Sequence, residues 1–135
     1  MMTNSSYTIP FTSVIGELGL SEAHGLMKFS AKTGLVLEFQ VKDAFIGIIK
    51  SAVREIQLDW DDIADFQIKK KWFSVIVTIR VNKMSIFEDL PATKSGELKA
   101  KIKKDDYESV RNLQSSLMLI LSEKKIERLD SMHED

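Results

Sequence analysis

The chain has 135 residues, 19 basic and 20 acidic side chains, no cysteine and a formal net charge of -1. That length fits one domain with a hydrophobic core of its own. The charge balance speaks against a dedicated nucleic-acid binder, whose domain is basic overall, and the missing thiols exclude disulfide and zinc–thiolate chemistry.

Residues 1–23 read as an N-terminal extension. Tyr7, Ile9, Phe11, Val14, Ile15, Leu18 and Leu20 are irregularly spaced, as in a strand or short helix packed on the domain edge. No Lys or Arg occurs there and apolar runs are short throughout. Neither a secretory signal nor a membrane-spanning helix is expected, so the reading is a cytoplasmic protein. From residue 24 the period becomes two. Met27, Phe29 and Ala31 lead into a turn at Lys32-Thr33-Gly34, and Leu35, Leu37, Phe39 and Val41 return from it. This pattern predicts a β-hairpin with one dry face. Alternation resumes at Ile56, Leu58 and Trp60, turns at Asp61-Asp62, and continues through Ala64, Phe66 and Ile68. After Lys70-Lys71-Trp72, the β-branched run Phe73, Val75, Val77, Ile79 and Val81 predicts a fifth strand facing one way. A weaker strand is expected over 84–90 and a seventh over 97–103, with Leu98, Ala100 and Ile102 inward.

The period then changes to 3.6. Tyr107, Val110, Leu113, Leu117, Ile120 and Leu121 form one helical stripe. Asp105 and Glu108 have the spacing of a capping box. Residues 125–135 read as a charged tail. An order of about seven short strands and one amphipathic helix predicts an all-β, curved antiparallel barrel capped by a C-terminal α-helix.

The residues carrying this order are His24-Gly25-Leu26-Met27-Lys28-Phe29, then Gly34-Leu35-Val36-Leu37-Glu38-Phe39 and Arg54-Glu55-Ile56-Gln57-Leu58 with Ile63. Trp72-Phe73 and Gly96-Glu97-Leu98 complete them. Over residues 24–124 the pattern resembles the pleckstrin-homology-like (PH-like) barrel family, in particular small bacterial members of unassigned function. The resemblance implies a scaffold that binds lipids, peptides or other proteins. Family members that bind phosphoinositides carry several basic residues around a roomy first hairpin loop. Here that loop is Ala31-Lys32-Thr33-Gly34, with a single Lys.

Catalytic chemistry finds little support. The two histidines, His24 and His133, have no nucleophile paired with them in sequence. No enzyme activity, cofactor or metal is expected. The acidic run Asp59-Trp60-Asp61-Asp62 lacks the glycine and distant glutamate of a calcium loop and reads as a turn. Two candidate binding segments remain. Lys69-Lys70-Lys71 beside Trp72 would suit an anionic membrane. Three lysines supply only about 3 kcal/mol, however, at about 1 kcal/mol each. Phe45, Ile46, Ile48 and Ile49 are four large apolar residues without alternation, suited to the core or to a contact surface. Lys99, Lys101 and Lys103 read as a solubilising face or a blunted sheet edge. The leading expectation is therefore a non-catalytic binding or scaffolding module, engaging a protein partner or itself. Docking on an anionic membrane is the alternative, and no nucleic acid is expected.

Overall fold

A computed structural model describes residues 6–15, 21–43, 52–87 and 96–133. Seven antiparallel strands form one half-barrel sheet, with one C-terminal helix packed against it. The strands are β1 (Ser6–Ile15), β2 (Ser21–Ser30), β3 (Gly34–Asp43), β4 (Arg54–Leu58), β5 (Ile63–Lys70), β6 (Ser74–Val81) and β7 (Glu97–Lys103). Helix α1 runs from Tyr107 to His133. The sheet order is β4-β3-β2-β1-β7-β6-β5.

That order dictates curvature. β4 and β5 lie at opposite edges of the sheet, yet only residues 59–62 join them. In a flat sheet six strand spacings would separate the edges by roughly 29 Å. Five extended residue steps reach only about 18 Å, so the sheet must roll. Two local devices help it. A register irregularity between Ile63 and Asp65 lets both Ile63 and Phe66 turn inward. At Gly25 the neighbouring strand comes so close that an added Cβ would sit 1.8 Å from the Glu38 carbonyl oxygen. Only a residue without a side chain fits this approach. Gly25→Ala is expected to cost about 2 kcal/mol or more, the scale of forced overpacking. A lowered urea midpoint would register it, and an unchanged midpoint would contradict the close approach.

The inward positions of all seven strands meet in one core, including Ile9, Phe11, Met27, Leu37, Phe39, Phe66, Val77, Ile79, Leu98 and Ile102. Val110, Leu113 and Leu117 bring the helix into it, each fully buried. The helix runs along β5 from one end to the other. Near its start Lys70 lies over the Tyr107 ring. Midway, Gln114 Nε2 donates to the Phe66 carbonyl at 3.0 Å. Near its far end Arg128 pairs with Asp61 in the 3-10 turn Trp60–Asp62. Phe66 also has its own N–H satisfied by the Asp65 carboxylate at 2.9 Å. Both backbone groups of Phe66 are thus occupied on the side of β5 that has no neighbouring strand, which protects an otherwise adhesive edge.

Several expectations need correction. Residues 6–15 form a strand in the middle of the sheet, paired with β2 over their full length. Residues 84–90 do not form a sixth strand. Met84–Phe87 is a 3-10 turn anchored by buried Phe87, while residues 88–90 lie outside the described residues. The physical reason is that β7 pairs directly with β6 and leaves no slot between them. Phe73 does not join the inward row of β6 but sits 84% exposed in the connection before it. Asp105 lies inside a 3-10 turn, Lys104–Asp106, that leads into α1. The helix continues to His133, with residues 122–131 exposed, where a charged tail was expected. The acidic run is a turn, as its composition suggested. The Asp62 carboxylate accepts the Asp59 N–H at 3.0 Å.

Candidate functional site: a lysine-lined groove and an aromatic hairpin tip

Because Leu98, Ala100 and Ile102 of β7 are buried, Lys99, Lys101 and Lys103 must project from the opposite, outer face of the sheet. Antiparallel pairing fixes their neighbours on β6: Lys103 opposes Ser74, Lys101 opposes Ile76 and Lys99 opposes Thr78. One strand further on, Lys69 of β5 opposes Ile76. On the other side, Thr12 of β1 opposes Lys101. A single row therefore crosses four strands as Thr12–Lys101–Ile76–Lys69. Consecutive outward lysines on β7 are roughly 7 Å apart, two residue rises of a strand.

These side chains wall a groove of about 1010 Å³. Five lysines line it, at positions 69, 71, 99, 101 and 103, with hydroxyls from Thr12, Ser74 and Thr78. Among the described residues none of these five ammonium groups has an ion-pair partner within 4 Å. Among the described residues, the one carboxylate lining the groove is Glu22 on β2. Its Oε2 lies 2.8 Å from His24 Nε2.

At the end of the groove the β5–β6 hairpin closes through Lys71 N–H donating to the Ser74 carbonyl at 2.8 Å. That short closure turns the two intervening side chains outward. Trp72 is 82% and Phe73 84% exposed, with ring centroids 6.4 Å apart in an edge-to-face arrangement. The tip is braced from α1 and the turn before it. Lys70 Nζ stands 4.7 Å above the Tyr107 ring, whose neighbourhood also holds the Arg111 guanidinium at 5.8 Å. Lys104 Nζ donates to the Trp72 carbonyl at 3.4 Å. Lys70, Lys71, Trp72, Phe73 and Lys104 together border a second, shallower recess.

Of the binding residues expected from sequence, Lys69, Lys71 and Trp72 come together here. Lys70 is turned aside onto Tyr107. Phe45, Ile46, Ile48 and Ile49 lie outside the described residues. The reading of 99–103 as a blunted edge is corrected, since β7 lies between β1 and β6. Glu22 was not singled out from sequence, and Phe73 was read as an inward residue of the fifth strand. The available signal was Lys at every second position of 99–103, which marks an outward basic row whichever strand lies beside it.

Comparison with protein-family models, with curated proteins and with solved structures finds no match for this chain. Among the described residues no helix is long and apolar enough to cross a membrane.

Proposed function

We propose that this chain is a non-catalytic binding module with a PH-like barrel, and that the outer face of β5, β6 and β7 docks on an anionic membrane surface. The observation that carries the proposal is the joining of the lysine groove to the exposed Trp72–Phe73 tip. The chain as a whole carries a net charge of -1. Gathering five groove lysines with Lys104 nearby makes a local basic patch, which draws a protein toward an anionic surface.

The magnitudes favour docking. Each lysine close to an anionic leaflet contributes about 1 kcal/mol, so the five groove lysines with Lys104 supply on the order of 6 kcal/mol. That approaches the ~8.2 kcal/mol of micromolar affinity. The hairpin's own three lysines reach less than half of it. Trp72 and Phe73 add an apolar term, about 1.5–3 kcal/mol for a large side chain fully withdrawn from water. Tryptophan also suits the headgroup level, with an apolar body and one polar N–H.

Sedimentation of the full chain with phosphatidylcholine vesicles, with and without phosphatidylglycerol, tests the proposal. Binding is expected to the anionic vesicles alone. It should fall at least tenfold as salt shortens the screening length from about 10 Å to 3 Å. Equal binding to neutral and anionic vesicles, or binding to neither, would reject membrane docking. An acidic protein partner would then be the occupant to seek.

A further inference from the structure

The groove contains a feature that plain anion binding leaves unexplained. Across β1 from its five lysines the groove is lined by Glu22 of β2. For a ligand carrying only negative charge, a carboxylate in the site is a like charge and lowers affinity. For a headgroup that carries an ammonium beside its phosphate, the same carboxylate is a counter-charge. Resting on the docking reading above, we infer that the groove selects an anionic aminophospholipid headgroup of the phosphatidylserine type. The β7 lysines would hold the phosphate and Glu22 the amine.

The placement suits such a ligand. Glu22 sits on β2, separated from β7 only by β1. Two strand spacings put the β2 and β7 backbones roughly 10 Å apart. Both sets of side chains stand on the outer face, so a small zwitterionic headgroup laid over β1 lies within reach of both. The Glu22 carboxylate is oriented by His24, which engages Oε2 alone at 2.8 Å. A carboxylate offers about four acceptor positions, so capacity remains for an ammonium group. Thr12 lies between the two strands, opposite both His24 and Lys101, and its hydroxyl can serve either end of the headgroup. On the other flank Lys42 of β3 stands in register with Glu22. Its positive charge is placed for the carboxylate that a serine headgroup carries beside its amine.

The test compares phosphatidylcholine vesicles containing phosphatidylserine with others containing phosphatidylglycerol at equal surface charge. The wild-type chain is expected to prefer phosphatidylserine by roughly two- to five-fold, the scale of one partly exposed ion pair. Glu22→Gln should bring that ratio to about one, weakening phosphatidylserine binding and strengthening phosphatidylglycerol binding. Glu22→Lys should strengthen phosphatidylglycerol binding further, which a merely damaged fold would not do. Equal wild-type binding to the two lipids, or a preference that survives Glu22→Gln, overturns the inference while leaving membrane docking intact. Failure of the wild-type chain to bind either vesicle rejects both.

Discussion

Reversing three groove lysines together, Lys69→Glu, Lys101→Glu and Lys103→Glu, is expected to abolish binding to anionic vesicles while the protein stays folded. Each lost lysine removes about 1 kcal/mol of attraction to the leaflet. Three amount to about 3 kcal/mol, more than a hundredfold in affinity, before the added repulsion of three carboxylates. The fold should tolerate the change because all three side chains are exposed on the outer face of the sheet. Surface substitutions of that kind usually stay within about 0.5 kcal/mol. Vesicle sedimentation gives the affinity and circular dichroism the fold. Retention of binding within threefold of the wild type would show that another surface makes the contact.

The second large effect concerns the helix. Leu113 is fully buried where α1 meets the sheet, and Leu119 further along the same helix is 55% exposed. Leu113→Ala is expected to lower stability by about 3–4 kcal/mol, from lost burial and the cavity left behind. Leu119→Ala should cost no more than about 0.5 kcal/mol. A loss of 3–4 kcal/mol is a large part of the 5–15 kcal/mol that holds a typical domain together. The neighbouring Gln114 side chain closes the Phe66 carbonyl on β5. Loosening the helix therefore also bares that strand. Urea unfolding of the two variants decides the matter, and equal midpoints would contradict the packing.

Much of the architecture was legible because side-chain alternation is local. Val75, Val77 and Ile79 read as strand by themselves, and Val110, Leu113 and Leu117 as one helical face. What was not legible depends on pairing between distant segments. β1 hid behind Pro10, a residue unwelcome in an interior strand. It is tolerated because Thr12↔Lys101 is the one registered pair between β1 and β7, so the beginning of β1 behaves as an edge. Ser13 concealed the strand further by occupying an inward position, where its hydroxyl donates to the Lys99 carbonyl at 2.7 Å. The groove was half visible. The lysines of 69–71 and those of 99–103 could each be read, but their union requires the β6–β7 register, which no local pattern encodes. Phe73 misled because alternation continues one residue beyond the strand that produces it.

The narrow junction between β1 and β7 has a kinetic consequence. β1 to β4 is a chain of neighbouring hairpins and β5 to β7 is another, while α1 touches both β1 and β5. The Ser13–Lys99 bond that spans the two runs closes a separation of 86 residues. Contacts so remote in sequence carry the largest loop-closure entropy and form slowly. Pairings within each run of hairpins are local by comparison, so the β1–β7 junction is expected to close after them. Amides along that boundary belong among the first to exchange with solvent from the native state.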